Sequence, residues 1–146
     1  MVKAIPDGHT TVTPYLVVED AAQLLDFAVT GLGATELMRM PTPDGGVGHA
    51  EFKIGNAIVM TGSAGPDNPA MPAMIYLYVE DADGLYSQAV QAGATTLEEP
   101  ADTFYGDRRA AVKDQQGNHW YIATHIEDPT PEQIEERMKE MMAASG

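Results

Sequence analysis

One pattern of apolar and polar positions occurs twice along the chain. Residues 14–35 (PYLVVEDAAQLLDFAVTGLGAT) and residues 75–95 (IYLYVEDADGLYSQAVQAGAT) match over most of their length. In each copy an alternating apolar stretch predicts a strand, and apolar residues at helical spacing then predict a helix. Asp20 stands where the first helix needs an N-cap. A repeat of this length indicates two copies of one small unit, with any site between them.

Three further strands are predicted in each copy, so that one unit reads β-α-β-β-β. Asp44-Gly45 is a hairpin signal in the first copy, and Gly55-Asn56 is matched by Gly117-Asn118 in the second. The last strands of the second copy are predicted at residues 95–98, 109–113 and 119–125. We expect one α+β domain made of unit 12–62, linker 63–72, unit 73–126 and a C-terminal helix over 130–143. The two units are expected to form a curved mixed sheet with the helices outside and a cleft within.

Charge and composition exclude several classes of partner. Eight basic and 22 acidic side chains give a formal net charge of −14, which disfavours binding to nucleic acid. The apolar runs are too short for a membrane span, and the first residues lack the apolar core of a signal peptide. We therefore expect a cytoplasmic protein without a membrane partner. The chain has no cysteine, which removes disulfide and thiol chemistry.

Three motifs carry a resemblance to a known family. GHAEFKIGN (48–56), FYGDR (104–108) and GNHW (117–120) followed by ATHIED (123–128) resemble the vicinal-oxygen-chelate superfamily. Within it the chain is most similar to glyoxalase/bleomycin-resistance-like proteins of the PhnB-like subgroup. The resemblance covers residues 12–128 and implies the tandem fold. It leaves the function open, because such proteins include metal-dependent isomerases, ring-cleaving dioxygenases, antibiotic-modifying transferases and metal-free antibiotic binders.

The resemblance also implies where a metal ion would be held. Metal-dependent members place one ligand, usually His or Glu, on the first and last strand of each unit. In this sequence those positions are Thr13, Met74, either Val59 or Met60, and Tyr121. None offers an imidazole or a carboxylate, the donors that a divalent ion prefers. We therefore predict no cofactor and no metal ion.

A relocated site is the alternative. His49 and Glu51 share one face of a strand, and with His119 they have the donor types for one divalent metal ion in a lyase, isomerase or dioxygenase. Metal-free acid–base catalysis by the same three residues is a third interpretation. The more ordinary role is a polar lining in which His49 and Glu51 pair with each other or with a nearby cation.

The predicted cleft is lined by tyrosine and methionine, which suits a planar, partly apolar molecule. In the predicted loop that contains FYGDR (104–108), Asp107 and Arg108 are expected either to contact a ligand or to pair with each other. The predicted function is binding of a small aromatic or apolar metabolite or antibiotic by a homodimer. The predicted ligand-binding residues are Tyr15, Met60, Met74, Tyr76, Tyr78, Tyr105, Arg108, His119 and Tyr121.

Residues outside the cleft receive simpler assignments. Trp120 alternates away from the cleft and is assigned to the core. His9 and His125 lie near element ends and are expected to be solvated. The apolar stripe of the C-terminal helix, which contains Met138 and Met141, is expected to pack on the body of the protein or on a second subunit.

Overall fold

A computed structural model describes residues 1–145. Its eight strands and three helices follow in the order β1 (Tyr15–Val18), α1 (Ala21–Leu32), β2 (Thr35–Pro41), β3 (Val47–Ile54), β4 (Ala57–Ser63), β5 (Met74–Tyr78), α2 (Ala82–Gln91), β6 (Thr95–Asp102), β7 (Asp107–Lys113), β8 (His119–His125) and α3 (Pro131–Ser145). The tandem β-α-β-β-β arrangement and the C-terminal helix predicted from the sequence are confirmed.

Local capping explains where the helices begin and end. The Asp20 carboxylate accepts a hydrogen bond from the amide of Gln23 at 3.2 Å, which satisfies a free amide of the first turn of α1. The chain leaves α1 at Gly33, whose φ of 69° lies in the left-handed region that glycine adopts without strain. In the second copy, Asp81 accepts from the amide of Gly84 at 3.0 Å.

Each unit forms its own four-stranded mixed sheet. The strand orders are β1-β4-β3-β2 and β5-β8-β7-β6, and the first strand of each unit runs parallel to the last. The single curved sheet expected from the sequence is therefore divided into two, each hydrogen-bonded among its own strands within residues 1–145. Pro14 precedes an edge strand, β1, where its missing amide removes no ladder hydrogen bond.

Both sheets turn one face toward a helix, and the two helices contact each other. Leu16 and Val18 lie under α1, in a core that continues through the helices to the fully buried Trp120 of the second unit. Where the helices meet, a Cβ at Gly31 would lie 3.0 Å from the Cβ of Ala92, so glycine lets the two units approach closely. The face of each sheet opposite its helix is called here its open face.

The strands β6 and β7 extend further into the loop between them than the sequence predicts. β7 begins at Asp107 rather than at residue 109, and β6 continues to Asp102. The helix α3 has no buried residue within Pro131–Ser145. In the part of the chain that the structure describes, no helix combines the length and apolar character needed to cross a membrane.

Candidate functional site

Strand register places most of the predicted ligand-binding residues on the two open faces. On the second sheet Met74, Tyr76 and Tyr78 alternate along β5, next to His119 and Tyr121 of β8. Tyr78 and Met74 are 64% and 62% exposed. Aromatic and thioether surface that is this exposed is available to a ligand or to a second subunit.

On the first sheet, Tyr15 of β1 stands beside Met60 of β4. Val59, the other candidate for the same position, is buried in the core. Of the two residues that the sequence left open for the last-strand position of the first unit, Met60 lies on the open face and Val59 does not.

The open face of the second sheet is organised around the buried carboxylate of Asp107, which is 1% exposed. Its Oδ2 accepts hydrogen bonds from the hydroxyls of Tyr76 and Tyr78 at 2.7 and 2.8 Å. Its Oδ1 lies 3.0 Å from Nδ1 of His125, whose Nε2 lies 2.6 Å from Asp128. Since both ring nitrogens of His125 face carboxylates, the geometry favours the imidazolium form. The His125 side chain is about half exposed, as the sequence predicted, but it is also tied to these two carboxylates.

The network continues from Asp107 to Arg109 in a fixed direction. A guanidinium only donates, so Arg109 donates to the Tyr105 hydroxyl at 2.9 Å. The Tyr105 hydroxyl lies 3.1 Å from that of Tyr76, whose own proton is used toward Asp107. Tyr105 therefore donates to Tyr76, and the chain of donors runs from Arg109 through Tyr105 and Tyr76 to Asp107.

Ring contacts create a flat surface beside this chain. Tyr76 and Tyr121 are stacked with their ring planes 8° apart and their centroids at 6.1 Å. The guanidinium of Arg109 lies 5.0 Å from the centroid of the Tyr121 ring, within the range of a cation–π contact. Arg109 is also held by Glu98 at 3.1 Å. The arrangement offers a planar ligand a rigid aromatic wall with one positive charge at its border.

Hydrogen bonding sets the charge state of the network. Burial pushes the pKa of Asp107 upward, but hydrogen bonds from His125, Tyr76 and Tyr78 outweigh it and hold that pKa below its ordinary value. Burial, with hydrogen bonds to Tyr105 and Asp107, raises the pKa of Tyr76. The hydrogen bond to Asp107 is the main cause of the raised pKa of Tyr78. The tyrosines thus remain neutral donors to an ionised carboxylate.

A cavity of about 360 Å³ lies next to this network. It is lined by β6, by the loop bearing Phe104 and Tyr105, by Arg109 and by Met141 of α3. Arg137 ties the helix to the loop by donating to the Phe104 carbonyl at 3.3 Å and to Glu127 at 2.6 Å. The C-terminal helix therefore forms one wall of the cavity.

The open face of the first sheet carries a second polar cluster. The Tyr15 hydroxyl lies 3.1 Å from Nδ1 of His49, whose Nε2 lies 3.1 Å from Oε2 of Glu51. The other Glu51 oxygen lies 3.5 Å from Nε2 of His9. The His9 side chain is only 13% exposed, so the expectation of a solvated His9 is wrong. No local pattern predicts this contact, because residues 1–11 have no periodicity.

The predicted role of Arg108 needs correction. Its guanidinium donates to Asp83 of α2 and to Asp102, so the side chain lies on the helix face of the sheet. It does not pair with Asp107 and does not line the open face. The error follows from the start of β7: once the strand begins at Asp107, alternation directs Arg109, not Arg108, away from the helix.

The three donors of the relocated metal site lie on two different sheets. Among residues 1–145, no group of three or more His, Cys, Asp or Glu side chains is arranged to hold one. His119 lies by register beside Met74 and Lys113, on the other sheet from the contacting pair of His49 and Glu51. One chain therefore does not gather the three donors of the relocated site.

Comparison with known proteins shows the family to which the chain belongs. The family model of the Glyoxalase/Bleomycin resistance protein/Dioxygenase superfamily matches residues 8–122. The chain therefore belongs to this superfamily. It is 34% identical over 140 residues to two uncharacterized proteins, Mb0911c of Mycobacterium bovis and Rv0887c of Mycobacterium tuberculosis. These alignments cover 86% of this chain and 90% and 81% of the two relatives.

Solved structures share the fold at lower identity. TioX from Micromonospora sp. ML1 has a TM-score of 0.69 at 24% identity, with 80% of this chain and 99% of that chain covered. TnmS3, described as an antibiotic binding protein from Streptomyces sp. CB03234, has a TM-score of 0.63 at 19% identity, with 80% and 99% covered. At these identities the likeness establishes the fold alone.

Proposed function

We propose that this protein binds a small aromatic or otherwise apolar molecule, a metabolite or an antibiotic, without a metal ion. The observation that carries the proposal is the stacked pair of Tyr76 and Tyr121, which contacts Tyr105 and Arg109, two residues that line the cavity of about 360 Å³. Such a volume lies within the range of about 300–1,000 Å³ typical of sites for small ligands. The description of TnmS3 as an antibiotic binding protein supports this class of function at the level of the fold.

The rigid network around Asp107 favours binding over chemistry at the second sheet. The acceptor capacity of Asp107 and the protons of Tyr76 and Tyr78 are used within the protein. What remains for a ligand is ring surface and the Met141 thioether, with the guanidinium of Arg109, already paired with Glu98, at the border. These groups hold and orient a planar molecule, which suits sequestration, sensing or resistance.

Binding is tested by a screen of aromatic natural products with thermal shift, followed by calorimetry, because a ligand of the native state raises the apparent stability. Tyr121→Leu keeps an apolar side chain but removes the stacked ring, and we expect it to weaken binding about tenfold, equivalent to about 1.4 kcal/mol. The matched control is Tyr86→Leu on α2, whose hydroxyl bonds Thr96. Equal affinities of Tyr121→Leu and the wild type contradict the assignment.

We also propose a homodimer in which the open faces of two copies close the ligand site. Four side chains on these faces are between 47% and 64% exposed in one chain: Tyr15, Met40, Met74 and Tyr78. Analytical ultracentrifugation tests the proposal, and Met40→Glu with Met74→Glu should shift the protein toward monomer. A monomeric wild type would contradict it. We also propose that the protein belongs to the PhnB-like subgroup and is located in the cytoplasm.

The metal-free character rests on donor chemistry. At the positions where the family places its ligands, the chain has Thr13, Met60, Met74 and Tyr121. Elemental analysis of protein purified without chelator or affinity tag is the direct measurement. About one equivalent of zinc, nickel, iron or manganese per chain, lost in His49→Ala, would replace this proposal with the metal-dependent lyase, isomerase or dioxygenase at His49, Glu51 and His119.

A further inference from the structure

The cluster on the first open face has the order of a proton relay. Tyr15 and Glu51 both lie beside Met60 in the register of the sheet, and His49 precedes Glu51 by two residues on the same face. The hydroxyl of Tyr15 contacts one ring nitrogen of His49, and Glu51 contacts the other. A base oriented by a carboxylate and placed next to a hydroxyl is an arrangement through which proteins move protons.

The chemistry of the three groups fixes which atoms carry protons. An ionised carboxylate only accepts, so Nε2 of His49 holds the proton that faces Glu51. In the neutral imidazole Nδ1 then has a free lone pair, and the hydroxyl of Tyr15 donates to it. The proton of Tyr15 is therefore used inside the protein. The lone pairs of its oxygen remain, and the Tyr15 side chain is about half exposed.

Gly62 permits this geometry. A Cβ at position 62 would lie 2.7 Å from the Tyr15 hydroxyl and 2.9 Å from the carbonyl oxygen of Gly48. Any side chain larger than hydrogen would push Tyr15 away from His49. The hydrogen bond between Tyr15 of β1 and His49 of β3 passes over β4 and therefore requires glycine at position 62.

A methionine is the register neighbour of each of the three residues of the cluster. Met40 is in register with His49, Met38 with Glu51, and Met60 with Tyr15. Met38 and Met40 are exposed. Thioethers on a flat strand surface make favourable contacts with aromatic rings and adapt to their shape. The first open face therefore combines a surface for an aromatic ring with a hydrogen-bond acceptor backed by a base.

We propose that Tyr15, His49 and Glu51 form a recognition site for the hydroxyl group of a phenolic ligand. The ligand O–H donates to the Tyr15 oxygen, Tyr15 donates to His49, and the imidazole N–H donates to Glu51. The inference rests on the proposed function, since it names the class of aromatic ligand. It assigns the donor group of that ligand to the first sheet, where the methionines contact one face of its ring; in the homodimer proposed above, the aromatic wall of a second sheet contacts the other face.

The test compares two probes that differ by one methyl group, 2-naphthol and 2-methoxynaphthalene. Both have the same planar body, but only the naphthol has an O–H to donate. One hydrogen bond of about 1.4 kcal/mol corresponds to a tenfold preference, so we expect the wild type to bind 2-naphthol about tenfold more tightly in fluorescence titrations. Bound 2-naphthol should also show increased naphtholate emission, because in the excited state its proton passes to the Tyr15 oxygen while the Tyr15 proton passes to Nδ1 of His49, which leaves a naphtholate and an imidazolium paired with Glu51.

Two variants remove the relay in different ways. Tyr15→Phe deletes the accepting oxygen, and Gly62→Ala displaces Tyr15 while keeping all three relay residues. Both should bring the affinity ratio of the two probes close to one. The matched control Tyr86→Phe, on α2, should keep the wild-type ratio.

The outcomes separate this inference from the function on which it rests. Equal binding of the two probes by the wild type, or an unchanged ratio in Tyr15→Phe, overturns the phenol site and leaves aromatic binding intact. If neither naphthalene binds, the aromatic-ligand function fails and this inference fails with it.

Discussion

The two open faces are the same backbone with different chemistry. Tyr15 in the first copy corresponds to Tyr76 in the second, and Met60 beside Tyr15 corresponds to Tyr121 beside Tyr76. On the next strand the register makes Arg109 the counterpart of His49. One tyrosine therefore has a titratable base as its neighbour, while the other belongs to a network with a permanently charged arginine.

The comparison shows which positions of the repeated unit fix the fold and which fix the chemistry. Leu16 matches Leu77 and Val18 matches Val79, and all four pack toward the helices. Residues on the opposite faces differ between the copies in charge, size and hydrogen bonding. The helix side carries the packing, so side chains on the open side are free to specialise.

The largest expected difference between the faces concerns their buried acceptors. Asp107→Ala leaves two tyrosine hydroxyls and His125 without their partner, and we expect it to lower the free energy of unfolding by about 3 kcal/mol. Glu51→Ala in the other copy should cost only about 1 kcal/mol, because the Glu51 side chain is 16% exposed and that of Asp107 only 1%. Urea unfolding measures both. Equal losses would show that the two networks contribute alike.

A smaller effect is expected where the faces differ by one methyl group. Gly62 and Ala123 occupy corresponding positions, since Val17 pairs with Gly62 and Tyr78 with Ala123. Gly62→Ala brings a Cβ against a backbone oxygen and should destabilise the protein by about 2 kcal/mol.

The reverse change, Ala123→Gly, removes a buried methyl and should cost about 1 kcal/mol. Thermal or urea unfolding of the two variants gives the comparison directly. A neutral Gly62→Ala would mean that Tyr15 moves aside without strain.

The smallest expected effect is a pH dependence of the network on the second sheet. The lowered pKa of Asp107 means that its contribution is present above about pH 3.9 and is lost as the pH falls through its own value. Hydrogen bonds to Asp128 and Asp107 raise the pKa of His125, so its contribution is present below about pH 6.5 and is lost as the pH rises through the raised value. The network therefore contributes most to the free energy of unfolding between about pH 3.9 and about pH 6.5.

Urea titrations on either side of the raised His125 value test this dependence. The urea concentration at the unfolding midpoint of the wild type should be lower on the alkaline side of that value than on the acidic side. In His125→Asn this decrease should be smaller. A fall of the same size in both proteins would assign the effect to another group.

Sequence reasoning succeeded where a signal was periodic or repeated. The duplicated stretch and the turns at Asp44-Gly45 and Gly55-Asn56 predicted the elements, and alternation put Trp120 in the core. The tyrosines of β5 and β8 were assigned to the open face for the same reason, because a strand alternates.

The rest of the candidate site could not be obtained this way. Arg108 and Arg109 are adjacent, and only the start of β7 decides which one lies beside Tyr121. His9 and Met141 reach the two open faces from the chain ends, through contacts that no local pattern encodes. Gly62 is important because of atoms far away in sequence, so its role becomes visible only in three dimensions.

The attachment of α3 affects how fast a ligand can enter and leave the cavity. The helix contributes Met141 as a wall, yet within Pro131–Ser145 no side chain is buried, and Arg137 fastens it through one ion pair and one carbonyl. Swinging this wall outward disturbs neither sheet. Dissolved salt weakens an exposed ion pair. We therefore expect ligand association and dissociation at this cavity to become faster as ionic strength rises, which stopped-flow mixing would measure.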